Sequence, residues 1–291
     1  MPGPLKALLW TAAAAGVAVA VVVGFGVFRL SQIFPDADEG RSIGEQIERE
    51  LVADHPGVSV TSHAEASFAE VSVTITPSGG EFREPEVSDL LATLQDLVAE
   101  HADSRWSIDT TFEGRWGTSP VTIHGSDAAR WPELSPVLDL ADNSRVAVSV
   151  HLDARRAGLH RDLDTDRLCG TGTTARNFFA DTVEEASTAL TELQWTSPGD
   201  PGLFYQGSGC AGPLRTSLTL SGPERLGRIE DLRTLLSSLP DEAELVGITV
   251  QDTGKLEVAL EDDPTDPVRE SVVHAWSHGE VWINGTRATG S

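Results

Sequence analysis

The chain has 291 residues, 40% of them hydrophobic, and 21 basic against 45 acidic side chains give a net charge of −24. That balance excludes an extended nucleic-acid surface, which needs clustered Lys and Arg to displace phosphate counterions, and the apolar content excludes wholesale disorder. Two cysteines exclude a disulfide-rich scaffold and a four-cysteine zinc site.

Residues 7–28 (ALLWTAAAAGVAVAVVVGFGVF) run 22 positions without a charge between Lys6 and Arg29. At about 1.5 Å per residue a helix of this length reaches roughly 33 Å, enough for a hydrocarbon core of about 30 Å. The segment is therefore expected to be a transmembrane helix and signal anchor in a lipid bilayer. A cleaved signal peptide is the competing reading, because Ala18-Val19-Ala20 has the small-x-small form of a cleavage site. The apolar run continues past that site to Phe28, which favours the anchor. Residues 1–6 then form a cytoplasmic tail, residues 29–41 a linker, and the rest an extracytoplasmic domain of a single-pass cell-membrane protein. All 45 acids follow Arg29, so the chain from residue 30 onward carries −26. Ala12, Gly16, Ala20 and Gly24 recur every four residues, a spacing that suits homodimer packing in a bilayer and that an Ala/Gly-rich segment also generates by chance.

Beyond the linker, Ser42-Ile43-Gly44-Glu45 has the form of a capping box, and Ile43, Ile47 and Leu51 predict a helix to about Ala53. Val58–Thr61 and Ala69–Thr76 alternate as strands do. A helix with the stripe Leu90, Leu91, Leu94, Leu97 and Val98 follows, with Pro85 at an early position. Strands are expected at Trp106–Phe112 and Val121–His124, a helix at Trp131–Leu140, and a strand at Arg145–Leu152.

The second half repeats this order. Thr174–Leu193 carries Phe179, Val183, Ala186, Leu190 and Leu193 at helical spacing. A short strand near Gln194-Trp195 and a better one at Arg215–Leu220 precede the helix Pro223–Leu239, with Leu226, Ile229, Leu232, Leu235 and Leu236 directed inward. Glu244–Gln251 and Lys255–Glu261 form a hairpin across Asp252-Thr253-Gly254. Asp266-Pro267 opens a last helix to about Ser277, and Glu280–Asn284 ends the pattern as a strand. Local matches recur at offsets of 145, 142 and 136 residues, which suggests an internal duplication. The fold class expected is α+β: two two-layer α/β sandwich modules, 42–152 and 174–291, of ferredoxin-like topology, joined by a connecting loop at 153–173. A Cys169–Cys210 disulfide is expected to staple the irregular stretches around it, with two buried unpaired thiols as the alternative.

Four runs have chemical potential, and each has a plainer reading. Asp162, Asp164 and Asp166 alternate as cation ligands can, but Arg167 and Thr173 stand where a calcium loop needs Gly and Glu. Gly170–Ala175 fits G-x-G-x-x-A without the buried strand that motif requires before it. Glu270, His274 and His278 fall four apart on the last helix, a spacing suited to zinc but also to a solvated polar stripe. Gly207-Ser208-Gly209 lacks the full nucleophile elbow. No catalytic, metal-ligating or cofactor-binding residue is assigned, and no cofactor is expected.

Two Lys against 19 Arg, with abundant Ala and Gly, points to a high-GC bacterium. The function expected is therefore non-enzymatic binding or scaffolding in a bacterial cell envelope, with an envelope protein or polymer as partner and no nucleic acid. An envelope hydrolase with an acidic cleft, or a metal-responsive sensor, is the alternative.

Overall fold

Each helix or helix pair is followed by a β-hairpin, and this αββ unit occurs six times along the described chain. The computed structural model describes residues 37–142, 146–162, 175–197, 199–209, 214–240 and 243–288. The first two units are α1 (Ala37–Asp54), β1 (Val58–Glu65) and β2 (Glu70–Pro77), then α2 (Glu84–Glu100), β3 (Ser107–Trp116) and β4 (Ser119–His124). The third has two short helices, α3 (Trp131–Leu134) and α4 (Pro136–Asp142), before β5 (Val146–His151) and β6 (Arg156–Asp162). The fourth is α5 (Ala175–Glu192), β7 (Gly202–Gly209) and β8 (Leu214–Leu220), and the fifth α6 (Arg225–Ser238), β9 (Leu245–Val250) and β10 (Leu256–Leu260). The last is α7 (Asp266–Ala275), β11 (Val281–Ile283) and β12 (Thr286–Ala288).

All twelve described strands belong to one sheet in sequence order. Within each hairpin the strands are antiparallel, and across each helix the pairing is parallel. The pairing follows from connection length: a tight turn forces antiparallel neighbours, and a helical crossover allows parallel ones. Strand side chains alternate between buried and partly exposed, as in β2 and β10. The buried set joins the helical stripes in one continuous core, so the helices cover a single face.

This architecture corrects the expected fold class. The two separate sandwiches of ferredoxin-like topology are one sheet, because β6 and β7 pair in parallel from Arg156↔Gly202 to Asp162↔Ser208. Both strands lie in stretches read as irregular, 153–173 and 196–213: RAGLHRD contains no Val, Ile, Thr, Phe, Tyr or Trp, and in GLFYQGSG three glycines dilute the strand preference of Phe204 and Tyr205, so neighbouring strands do much to impose the conformation. The repeat is also finer than a half-chain duplication. The six units open at Ala37, Glu84, Trp131, Ala175, Arg225 and Asp266, so the half-chain offset spans three units.

Local differences have local causes. α1 opens at Ala37, inside the expected linker, and Ser42 lies within the helix instead of capping it. Gly40 and Gly44 let α1 settle on the sheet: a Cβ on Gly40 would lie 2.5 Å from the Trp106 ring, and one on Gly44 2.7 Å from Ser62 Oγ. Gln194-Trp195 is a turn, with Gln194 at φ 58° and Trp195 buried. On α6 the inward stripe begins with Arg225 and Arg228, and Leu226, one step around the helix, is 45% exposed.

Among the described residues no helix is long and apolar enough to cross a membrane. This corrects the expected transmembrane helix and, with it, the single-pass cell-membrane placement. The helices described are amphipathic: α1, for example, buries Ile43, Ile47 and Leu51 and carries charges elsewhere. Residues 7–28, with Ala12, Gly16, Ala20 and Gly24, lie outside the described residues. Cys169 and Cys210 also lie outside them, no cysteine occurs among those described, and the expected disulfide is not retained.

Candidate functional site

The sheet face turned away from the helices carries short polar side chains in cross-strand rows. One row runs Thr61, Thr74, Thr111, His124, His151 and Arg156 from β1 to β6. A second joins Ser149, Gly158 and Phe204, and a third joins His160, Gln206, Ser217 and Thr249. Neighbours in a row are about 4.8 Å apart across the strands. The rows therefore bring together residues far apart in the chain.

His124 and His151 stack with ring centroids 4.5 Å apart and planes 13° apart, and Thr111 Oγ1 lies 3.3 Å from His124 Nδ1. Beside them, Ser149 Oγ is 2.8 Å from His160 Nε2, and His160 Nδ1 is 3.0 Å from Gln206 Oε1. An amide oxygen only accepts, so Nδ1 carries the proton and Nε2 of the neutral ring accepts the Ser149 hydroxyl. Phe204 meets the His160 ring edge-on, with centroids 5.9 Å apart. Gly158 makes this possible: a Cβ there would lie 2.3 Å from Ser149 Oγ and 2.9 Å from His160 Nε2. Arg156 pairs with Asp252 from the β9–β10 turn, and the other oxygen of Asp252 accepts from Ser221.

Burial holds the His151 imidazole below its usual range, and the neighbouring His124, His160 and Arg156 add to this by charge repulsion. The repulsion reflects a local excess of basic groups. Among the described side chains, the open face of β4 to β8 carries His124, His151, Arg156, His160 and Arg215 and no carboxylate. In a chain of net charge −24 this patch stands apart. Chemically it presents imidazole, hydroxyl and guanidinium groups as hydrogen-bond donors and acceptors. Among the described residues no group of three or more His, Cys, Asp or Glu is placed to hold a metal ion.

A concavity of about 590 Å³ lies at the β1–β2 end, where Asp54, Glu81, Glu86 and Asp89 line it with His55 and Phe82. His55 is engaged there, with Nε2 2.9 Å from Thr93 Oγ1. A carboxyl held above its usual range occurs elsewhere: Glu261 is raised by a hydrogen bond with Glu244, on the surface outside this cleft.

The residues singled out from sequence do not converge. Asp162 ends β6, whereas Asp164, Asp166 and residues 170–174 lie outside the described residues. Gly207-Ser208-Gly209 is the end of β7 and not a strand-to-helix elbow. α7 stops at Ala275, so Glu270, His274 and His278 share no helical face. His274 Nδ1 donates to the Glu270 carbonyl, and His278 sits instead between Glu224 and Asp231, at 3.4 and 3.5 Å. Ser149, His151 and His124 were legible as outward positions of their strands. Their grouping with His160 and Gln206 depends on β6 and β7, whose strand signal is weak. No protein-family model, curated protein or solved structure matches the chain.

Proposed function

We propose that the protein is a non-enzymatic binding protein whose open sheet face receives a macromolecular partner. One observation carries this reading: the helices cover one face of the sheet, and the other presents a hydroxyl- and imidazole-rich surface with a basic centre. Strands β4 to β8 alone span about 19 Å of such surface, at roughly 4.8 Å per strand. The donors and acceptors there are fixed on rigid strands, which lowers the ordering cost of association.

Photo-crosslinking side chains at Thr122 and Ser217, on the open face, and at Asp96, on exposed α2 surface, test it. The expected result is one species captured from Thr122 and Ser217 and competed away by excess unmodified protein. Equal capture from Asp96, or capture that excess protein does not reduce, would overturn the reading.

A further inference from the structure

We propose that the concavity at the β-bulge of β9, between Arg215 and Asn284 on the open sheet face, binds the C-terminal carboxylate of a peptide chain that ends in a small residue. This rests on the reading of the open face as the binding surface and names what the partner presents to it.

A bulge shapes the concavity. Gly247 pairs with Ala259 and Leu245 with Leu260, so Val246 is an extra residue on β9. Val246 and Gly247 are in consequence both partly exposed, where the rest of the strand alternates. Gly247 has no side chain, and its neighbour across the ladder, Ala259, has only a methyl group. A Cβ on Gly247 would lie 3.3 Å from the Ala259 Cβ and 3.5 Å from the Arg215 carbonyl oxygen. The space left is about 440 Å³, with Arg215, Val246, Gly247, Thr249, Ala259 and Asn284 among its lining residues. Small-ligand pockets fall at about 300–1,000 Å³.

The polar rim divides into groups already engaged and groups open to a ligand. Asn284 is locked on both sides: its Oδ1 accepts from the Leu260 amide at 2.7 Å, and its Nδ2 donates to the Asp262 carbonyl at 3.1 Å. Glu257, also on the rim, accepts from Lys255 Nζ and from Gln251 Nε2, so its charge is matched. Arg215 is exposed, and among the described residues no carboxylate pairs with its guanidinium. The Thr249 hydroxyl likewise has no partner among them.

These groups select the ligand. A guanidinium takes a carboxylate through two parallel N–H···O bonds. A second negative charge would face Glu257, so a monoanion fits better than a dianion. The floor beside Arg215 is the apolar surface of Val246, Gly247 and Ala259, shallow enough for a methyl group and too shallow for a large side chain. A peptide chain ending in alanine carries both features on one carbon atom, whereas the side chains of Asp and Glu carry a carboxylate with no methyl beside it. The rim is fixed by strand backbone and by the locked Asn284, which lowers the ordering cost of binding.

Ligand-observed NMR on the full chain tests this, with N-acetyl-alanyl-alanine as the probe. Saturation transfer to the probe's methyl groups should titrate with a Kd on the order of 1 mM or below. The C-terminal amide of the same peptide, and acetate, should each bind about tenfold or more weakly. Arg215→Gln should weaken the probe about tenfold, and Ala259→Leu, which fills the floor from a regular strand position, should do the same. Arg287→Gln, at the β12 edge, should change nothing. Circular dichroism certifies each variant as folded, and Ala259→Leu carries the test should Arg215→Gln unfold. No saturable binding, equal binding of the acid and its amide, equal binding of acetate, or an equal loss in Arg287→Gln would overturn the proposal. Absence of probe binding with crosslinking from Thr122 and Ser217 intact would sink the carboxylate site alone. Probe binding without those crosslinks would sink the partner surface alone.

Discussion

His124 and His151 occupy paired positions on the parallel strands β4 and β5, and their rings stack at 4.5 Å. Burial and three basic neighbours keep His151 below its usual range in the folded protein. An unfolded chain carries His151 at about 6.5. Between that value and the lower folded one, the unfolded state binds more protons, so folding loses stability as pH falls. Above about pH 6.5 the contribution is complete. The melting temperature of the wild type, minus that of His151→Gln, should therefore decline as pH drops from about 7.5 to about 5. A difference that stays flat or rises would contradict the assignment. Taking the difference matters, because neutralising carboxylates in so acidic a chain shifts both proteins together.

Gly158 is the position at which a single methyl group should dismantle the Ser149–His160 pair. A Cβ at 2.3 Å from Ser149 Oγ forces the hydroxyl away, and overpacking of this kind costs about 1–3 kcal/mol. Gly158→Ala is thus expected to lower the unfolding free energy by that amount, read as a lower denaturant midpoint at unchanged slope. Combining it with Ser149→Ala should cost less than the sum of the two single changes, since the first contact that clashes is gone. Strict additivity would place the strain elsewhere.

Arg225 is fully buried and holds four carbonyls: Nε donates to Gly222, Nη1 to Trp195 and Pro201, and Nη2 to Asp200. It ties the entry of β7 to the start of α6. Arg225→Met removes the donors and leaves buried acceptors alone, at a cost of about 3 kcal/mol or more. At roughly 2–4 °C per kcal/mol for a chain of this size, the melting temperature should drop by about 6–12 °C. Arg225→Lys retains the charge without the planar fork and should recover only a minor part of the loss. A thermal melt within about 2 °C of wild type for Arg225→Met would show that water replaces the guanidinium without penalty.

Gly40 tests how α1 is seated. Ala is the better helix former by about 1 kcal/mol, so Gly40→Ala on an exposed surface would stabilise. Here the new methyl would lie 2.5 Å from the Trp106 ring, and the aromatic is itself buried. The expected net effect is a destabilisation of about 1–2 kcal/mol, read by urea unfolding through Trp fluorescence. Unchanged or raised stability would mean that the ring moves aside freely.

What the sequence reveals of this fold depends on which forces act locally. α2 is legible because its apolar spacing, Leu90, Leu91, Leu94 and Leu97, matches the face it buries. The β9–β10 hairpin is legible because Asp252-Thr253-Gly254 supplies the left-handed position, with Gly254 at φ 81°. The same chemistry at Asn284-Gly285, with φ values of 49° and 75°, turns β11 into β12, a strand too short to show an alternation of its own. β6 and β7 draw their conformation from neighbours on both sides, so their residues carry little trace of it. Arg225 and Arg228 occupy the inward stripe of α6 because carbonyls wait there, a fact of tertiary structure that no hydropathy pattern contains. The candidate site shares this fate. Ser149 and His151 are readable as outward residues, but only strand register shows that His160 and Gln206 stand beside them.

Every strand inside the sheet pairs with its immediate predecessor and successor in the chain. No pairing waits for a distant segment to return, so the loop-closure cost of each step stays that of one turn or one helix. Such low contact order favours rapid folding, and formation of one hairpin templates the next. The order of assembly is accordingly free to start at any unit and spread in both directions, as in linear repeat arrays. Damage is contained in the same way: a substitution that opens the β11–β12 end leaves the β1–β4 end with all its own contacts, and the chain loses its structure by length instead of all at once.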